Sequence, residues 1–232
     1  MSKLQLTLVF FIVLLLSGCG LVKGLRAIKN EDVQPQYYAF KDKTIIFTPL
    51  THFGQKVYYD SLRDSIVHWK HAGYIIFYEQ IETDQSLLML DSISYDELNR
   101  KWRKIAGGEK MTREGYAELS DVFKDAIVQP ENEDLGIDST DLNADITLLD
   151  LVNKFEEYYG EVKIDSCDYA THLDSTYTCN KKLKGNLMPI IVDYRNEQLV
   201  EKVMVSERRN IVVLYGLIHI KGMKDLLKEN QN

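Results

Sequence analysis

The sequence lacks two features that would assign it to large classes of protein. It has no run of basic residues, and 28 lysines and arginines stand against 35 aspartates and glutamates, a net charge of −7 at pH 7. Nucleic acids and anionic lipid surfaces are bound electrostatically through positive patches, so the composition argues against both as partners. The N-terminal apolar stretch, residues 4–16, is shorter than the roughly 20 residues of a membrane-spanning helix.

That stretch has the features of a secretory signal instead. Lys3 precedes the apolar residues, and Leu16-Ser17-Gly18-Cys19 follows them. The tetrapeptide resembles the lipobox of bacterial lipoproteins, in which the chain is cut before the cysteine and that cysteine is lipidated. We expect residues 1–18 to be a lipoprotein signal peptide and Cys19 to carry the lipid; a plain signal peptide with an accidental cysteine is the alternative.

A lipidated Cys19 would tether the mature chain to a membrane outside the cytoplasm. Several acyl chains together anchor a protein stably, because each buried CH₂ contributes about 0.8 kcal/mol. Gly20 follows the cysteine where an aspartate would signal inner-membrane retention, so an outer-membrane location is favoured if the cell is Gram-negative. Removing residues 1–18 removes one lysine and no acidic residue, which changes the net charge from −7 to −8.

Cysteine is scarce in the rest of the chain. Only Cys167 and Cys179 remain, and a pair at short separation in an exported chain predicts a disulfide. The alternative is a metal site formed by both cysteines and His172, but the sequence lacks the closely paired spacing of zinc motifs. We therefore expect a disulfide-closed loop.

Strand and helix signals alternate at both ends of the chain. Runs rich in β-branched residues predict strands, and apolar residues at helical spacing predict helices. The predicted strands are 44–50, 74–79 and 211–215, and the predicted helices are 55–73, 94–108, 112–127 and 147–160. A short strand and a helix are expected within 187–210, and a last helix from Gly222.

This order predicts an α/β fold in which a central, mainly parallel sheet is flanked by helices, with a helical middle region. We expect Cys19 and a tether to occupy 19–42 and a single α/β domain to occupy 43–232.

Two stretches near opposite ends of the chain share one design. IIFTPLTHFGQ (45–55) and VVLYGLIHIKG (212–222) each hold an apolar strand, a turn-forming residue three positions before a histidine, and a helix start. Open α/β sheets hold ligands at the carboxyl ends of their strands, so His52 and His219 are expected to face one crevice. Glu79 would emerge at the same edge if its strand is parallel. Two imidazoles and a carboxylate could hold a divalent ion with open positions for water.

These residues resemble the TraB/Tiki family, which belongs to a wider group that includes erythromycin esterases and haem-binding ChaN-type lipoproteins. The resemblance covers residues 43–229. It rests on two G-x-x-H-like motifs, a strand-ending glutamate between them, and an Arg-Asn pair that heads the penultimate helix. The corresponding residues here are His52, Glu79, Arg195 with Asn196, and Gly216 with His219. Pro49 stands where the first motif usually has glycine.

The resemblance implies a metal-dependent hydrolase that acts on an amide or an ester. A divalent ion (Mn, Co or Zn) would be held by some of His52, Glu79 and His219 and would lower the pKa of bound water. Glu79, if it is not a ligand, would take the proton. Arg195 and Asn196 would orient or stabilise the reacting carbonyl.

The residues leave other functions open. A non-catalytic lipoprotein could bind haem, a metal ion or another small ligand in the same crevice, and a scaffold lipoprotein could retain the crevice unused. His219 could be an ordinary loop residue, and Arg195 could brace its own helix. Glu79 could be a solvated strand end, with Glu82 as the acid if the strand register differs. His68 is expected at the surface.

Overall fold

The computed structural model describes residues 34–82, 92–106, 126–179 and 185–231 of the 232-residue chain. Its strands are β1 (Gln36–Phe40), β2 (Lys43–Leu50), β3 (Phe53–Gln55), β4 (Ile75–Tyr78), β5 (Ala126–Val128), β6 (Leu142–Asn143) and β7 (Asn210–Gly216). Five of them form the central sheet in the order β1-β2-β7-β4-β6, and β3 pairs with β5 separately. Within the central sheet only the β1–β2 pair is antiparallel. The predicted α/β fold with a mainly parallel sheet is therefore confirmed.

Six α-helices lie in the described ranges. They are α1 (Lys56–His71), α2 (Ser92–Ala106), α3 (Leu148–Tyr159), α4 (Ser166–Ala170), α5 (Arg195–Val205) and α6 (Leu217–Glu229). A π-helical turn, Pro189–Tyr194, leads directly into α5. In the part of the chain that the structure describes, no helix combines the length and apolarity needed to cross a membrane.

Helices cover both faces of the sheet because the side chains of its central strands alternate between two apolar clusters. Ile211 and Val213 of β7 pack with α5 and α6 on one face, and Val212 and Leu214 pack with α1 on the other. Side chains of β7 from Ile211 to Tyr215 are essentially without solvent exposure. Such a strand, buried on both faces, is typical of the centre of a parallel sheet. A third cluster joins α2, α3 and the π-helical turn.

The structure differs from the sequence prediction in several segments, three of which bear on the sheet and the site. β1 lies inside the predicted tether of residues 19–42, and it reaches the sheet as an antiparallel edge strand whose exposed positions dilute its apolar signal. The apolar run at Pro189–Tyr194 forms a π-helical turn instead of a short strand. The helix predicted over 112–127 lies mostly outside the described residues, and its last two residues belong to the strand β5.

The inward face of α1 is formed by Tyr59, Leu62, Ile66 and Trp69, which are buried, whereas Val57 is 65% exposed. Tyr59 donates from its hydroxyl to the Thr51 carbonyl at 2.7 Å, so its polar atom is satisfied while its ring fills the core.

Cys167 and Cys179 form the predicted disulfide, with 5.8 Å between their Cα atoms. The alternative metal site is wrong, because both sulfurs are bonded to each other and His172 is exposed. The closed loop is held against α2 by Arg103, which donates to three of its carbonyls, and by Lys104, which pairs with buried Asp168 at 2.5 Å.

Replacing Cys167 and Cys179 together by serine should lower the free energy of unfolding by about 3 kcal/mol. The bridge spans 12 positions, and its removal restores chain entropy to the unfolded state. Urea unfolding of wild type and variant measures the difference. Reduced wild type is the matched control, and its urea unfolding curve should coincide with that of the double variant. Coinciding curves for oxidised and reduced wild type would contradict the prediction.

Candidate functional site

The carboxyl ends of three parallel strands meet at one edge of the sheet. Leu50 of β2 pairs with Gly216 of β7, and Tyr78 of β4 pairs with Leu214, so the three strands end at nearly the same level. Glu79 directly follows β4, and His219 lies in the first turn of α6, directly after β7. Arg195 and Asn196 begin α5, which packs against α6 on the same face. We call Glu79, Asp145, Arg195, Asn196 and His219 the edge cluster.

Arg195 is the centre of the edge cluster. Its Nε and Nη2 donate to the two carboxylate oxygens of Asp145 at 2.9 and 2.6 Å, and Nη2 also donates to Glu79 at 2.6 Å. Burial alone lowers the pKa of Arg195, but the hydrogen bond to Asp145 and the charge of Glu79 outweigh it and raise that pKa above its ordinary value. The guanidinium therefore stays charged, with two carboxylates around it and a local net charge of about −1 from one cation and two anions.

His219 is buried, and its two ring nitrogens have different environments. Nδ1 lies 2.8 Å from the side-chain oxygen of Asn196, which can only accept, so this pairing assigns the proton to Nδ1. Nε2 lies 3.5 Å from Arg195 Nη1 and 3.7 Å from Glu79 Oε1. Burial lowers the pKa of His219, with Glu79 opposing that shift and Arg195 adding to it. His219 is therefore neutral at pH 7, with its lone pair on Nε2.

Gly216 leaves room for the close approach of a carboxylate. Its backbone N–H donates to Glu79 Oε2 at 2.5 Å, and a Cβ at this position would lie 3.1 Å from the same oxygen. A side chain here would therefore force that oxygen to shift slightly. This contact gives a physical reason for the glycine of the second G-x-x-H-like motif.

Two residues of this region were missed by sequence reasoning. Asp145 closes an acidic stretch that reads as a solvated loop, yet it is only 6% exposed. Tyr215 lies at the end of an apolar strand and reads as a core residue. Its ring packs edge-on against His219 at 5.2 Å between centroids, and its buried hydroxyl has no hydrogen-bond partner in the described parts of the chain. Burial raises the pKa of Tyr215 far above its ordinary value. The apolar residues on either side of Asp145, Ala144 and Ile146, were the one sequence signal that Asp145 is buried.

His52 and Glu82 are exposed. His52 lies on the loop between β2 and β3, and its Nδ1 is 3.2 Å from Gln129 Oε1. Glu82 forms a parallel bridge with Thr147. Of the two candidate acids, Glu79 is the one that contacts Arg195.

A divalent cation does not fit the edge cluster as it stands. The Arg195 guanidinium already holds the cationic position between the two carboxylates and lies beside Nε2 of His219, the atom that would coordinate a metal. Within the described ranges no group of three or more His, Cys, Asp or Glu side chains could hold a metal ion. The metal site of His52, Glu79 and His219 stays a prediction.

No family model, curated protein or solved structure matches this chain.

The free energy of unfolding should fall as the pH is lowered through 6.5, and His219 should account for part of that fall. Its folded pKa lies below the ordinary 6.5, so below this pH the unfolded chain binds a proton that the folded chain does not. The limiting slope is about 1.4 kcal/mol per pH unit. Urea unfolding between about pH 7.5 and 5.5 should show a flatter dependence in His219→Gln than in wild type. His68→Gln, at an exposed position of α1, is the control; equal slopes in all three proteins would overturn the assignment.

Gly222→Ala should destabilise the fold by about 1–3 kcal/mol through overpacking. The added Cβ would lie inside 3.0 Å of Asn196 Nδ2, so the Asn196 amide must turn and release His219 Nδ1. Lys221→Ala, one position earlier on α6 and exposed, should change stability by less than about 0.5 kcal/mol. Thermal unfolding of both variants tests the contact, and equal midpoints would contradict it.

Proposed function

We propose that this protein is a membrane-tethered lipoprotein of TraB/Tiki type whose edge cluster hydrolyses an ester or an amide. The observation that carries the proposal is the state of His219. Its Nδ1–H is fixed by Asn196, so the lone pair of Nε2 is held beside Glu79 and Arg195 at the carboxyl edge of the sheet. A neutral, oriented imidazole next to a carboxylate and a guanidinium is a common set for acyl transfer to water.

Each residue then has a defined part. His219 Nε2 takes a proton from the water that attacks the carbonyl carbon, and the Glu79 carboxylate at 3.7 Å stabilises the imidazolium that forms. The imidazolium then returns this proton to the leaving alcohol or amine as the ester or amide bond breaks. Asp145 holds the Arg195 guanidinium through a bidentate pair. Nη1 of Arg195 makes only long contacts, 3.3 Å to the Ile191 carbonyl and 3.5 Å to His219. It is therefore the donor that can turn toward negative charge on the reacting carbonyl oxygen.

Turnover of fluorogenic esters and of a peptide library by the full-length chain in detergent tests the proposal. We expect His219→Asn and Glu79→Gln to lower the rate by about 10²–10⁴, the usual contribution of a general base. His68→Asn is the matched control because His68 is exposed on α1. Equal rates of turnover in wild type and His219→Asn would contradict the mechanism.

The predicted metal is tested separately. Calorimetric titration with Mn²⁺, Co²⁺ and Zn²⁺ is compared between wild type, His52→Ala and His219→Ala. Binding that is lost in both variants, with turnover restored by the metal after chelation, would support the metal-dependent form of the reaction. Turnover that is unchanged by a chelator would support the imidazole mechanism.

One observation favours a lipoprotein without catalytic activity, which binds a ligand elsewhere or serves as a scaffold. The side chains of Glu79, Arg195 and His219 are 9%, 7% and 3% exposed, and all five N–H groups of Arg195 have contacts within 3.5 Å. A closed cluster whose donors all have partners can fix how the surrounding elements pack without serving a reaction. A haem absorbance band on titration, together with absence of turnover in the screen, would favour this candidate.

A further inference from the structure

Exposed aliphatic side chains lie in the first turns of two helices that begin at the carboxyl edge of the sheet. Val57 of α1 is 65% exposed, and Leu217 and Ile218 of α6 are 41% and 59% exposed. The hydroxyl of Tyr58 donates to the carbonyl of Pro49 at the end of β2, which places the start of α1 at this edge. α6 follows β7 directly, and β7 ends beside β2. We call these two first turns the aliphatic turns.

The charges around the aliphatic turns are basic. Neither of the two turns contains an acidic residue, although the chain has a net charge of −7 and acidic side chains stabilise helix N-termini. Lys56 directly precedes Val57, and Lys221 follows Ile218 by three positions; their side chains are 68% and 88% exposed. Lysine stems can lie along apolar surface while the ammonium group stays in water. This composition suits the boundary between the headgroups and the acyl chains of a bilayer.

The N-terminal segment of the chain reaches the domain beside both helices. Gln34 and Pro35, where the described residues begin, border the same cavity as Val57 of α1. Gln36, the first residue of β1, accepts a hydrogen bond at 3.1 Å from Lys224 in the second turn of α6. The segment that would carry the lipid therefore enters the domain next to the aliphatic turns.

This point of entry identifies the surface that the aliphatic turns would meet. Single exposed aliphatic residues are common in proteins, but here three of them lie where residues 20–35 connect the domain to the expected lipid on Cys19. A short connection holds the turns and the bilayer at a high effective concentration. A contact too weak to keep a free protein on a membrane therefore persists in an anchored one.

We propose that the aliphatic turns insert into the surface layer of the bilayer that carries the anchor, so that the carboxyl edge of the sheet faces the membrane. Val57, Leu217 and Ile218 would contact the upper acyl chains, and Lys56 and Lys221 would lie among the headgroups. The contact is apolar, so neutral phospholipid suffices. The inference rests on the lipid anchor of the proposed function and is independent of the hydrolase activity.

Labelling single positions of the lipidated chain with the fluorophore NBD provides the test. Ile218→Cys or Val57→Cys supplies the only free thiol, because Cys19 carries the lipid and Cys167 and Cys179 are bonded to each other. The protein is reconstituted into vesicles of neutral phosphatidylcholine. We expect NBD at either position to emit at a shorter wavelength than in water. Phosphatidylcholine with a nitroxide on its acyl chain should quench this emission.

Val205→Cys is the matched control. Val205 is 74% exposed at the end of α5, and the carbonyl of the next residue, Ser206, accepts a hydrogen bond from Lys43 at the start of β2. This position therefore lies at the opposite edge of the sheet. NBD attached there should emit as it does in water and should not be quenched by the nitroxide lipid.

A second pair of variants tests whether the aliphatic side chains themselves make the contact. Leu217→Asp together with Ile218→Asp should abolish the quenching of NBD at Val57→Cys. Both positions are exposed and aspartate is favoured in a first helical turn, so the fold should be retained, which circular dichroism checks. Val205→Asp should leave the quenching unchanged.

Flotation of the protein with the vesicles reports the anchor separately. A chain that does not float lacks the anchor, and the proposal then fails together with that part of the proposed function. A chain that floats, but in which the nitroxide quenches all three labelled positions equally or none of them, keeps its anchor and overturns this proposal alone. Emission at a shorter wavelength without quenching would indicate contact with another protein and would also overturn it.

Discussion

Arg195→Met should lower the free energy of unfolding by about 3–5 kcal/mol at pH 7, the usual cost of removing one partner from a buried ion pair. In the wild type the Arg195 guanidinium separates two carboxylates, Asp145 at 2.6 Å and Glu79 at 2.6 Å. The Asp145 side chain has no exposed surface, and that of Glu79 is 9% exposed. Without the cation, two negative charges face each other where water cannot screen them. Methionine has a volume and an unbranched chain similar to those of arginine, so the lost stability measures the effect of removing the charge.

Urea unfolding measures the effect, and Arg209→Met is the matched control. Arg209 is 77% exposed and pairs with Asp42 at 3.4 Å, so its loss should cost less than about 1 kcal/mol. A triple variant, Arg195→Met with Asp145→Asn and Glu79→Gln, should regain part of the lost stability. Replacing all partners of a buried ion pair together often changes the free energy of unfolding little. A loss below about 1 kcal/mol at pH 7 would show that Arg195 is not central to the fold.

Cys19→Ser, in a chain exported behind a cleavable signal peptide that replaces residues 1–18, should move the protein from the membrane fraction to the soluble fraction. The apolar residues 4–16 are too few to span a bilayer, so the lipid on Cys19 is the expected membrane attachment. A single acyl chain binds membranes weakly and two or more bind stably, so removal of all chains at once leaves no comparable anchor. The acidic mature chain offers no electrostatic substitute.

Fractionation of cells that express each form, with mass spectrometry of the N-terminal peptide, measures this. Cys167→Ser is the control, since it removes a cysteine without touching the lipobox, and it should stay in the membrane fraction. Retention of Cys19→Ser in the membrane would contradict a lipid anchor and favour a different attachment.

The three central strands of the sheet were predictable because their signal is strong and local. β2, β4 and β7 are continuous apolar runs, and such runs form the buried strands of a parallel sheet whatever surrounds them. Their parallel order follows from the helices between them. The disulfide was predictable for the different reason that only two cysteines remain outside the lipobox.

The edge cluster was predictable only in part, since long-range contacts leave weak traces in sequence. Glu79 and His219 stand at strand ends, where the rule for open α/β sheets applies. Asp145 ends an acidic stretch, and its apolar neighbours Ala144 and Ile146 are only a weak signal that it is buried. Its pairing with Arg195, 50 positions further along the chain, leaves no trace in the local sequence. His219 was expected in a loop, but α6 begins at Leu217, directly after Gly216, so the histidine lies inside the first helical turn. Whether His52 is exposed depends on the conformation of the loop between β2 and β3, and no short sequence motif determines that conformation.

The antiparallel placement of β1 has a consequence for how far from the bilayer the domain can act. Because Gln36 pairs with Phe47 while Phe40 pairs with Lys43, the chain enters the sheet at the carboxyl ends of the parallel strands, the edge that carries the edge cluster. Sixteen residues separate Cys19 from Gln36, and at full extension they reach about 55 Å. If Cys19 carries the anchor, the attachment of the domain and its candidate site lie at the same edge of the sheet, and the segment between Cys19 and β1 limits how far that edge can move from the membrane.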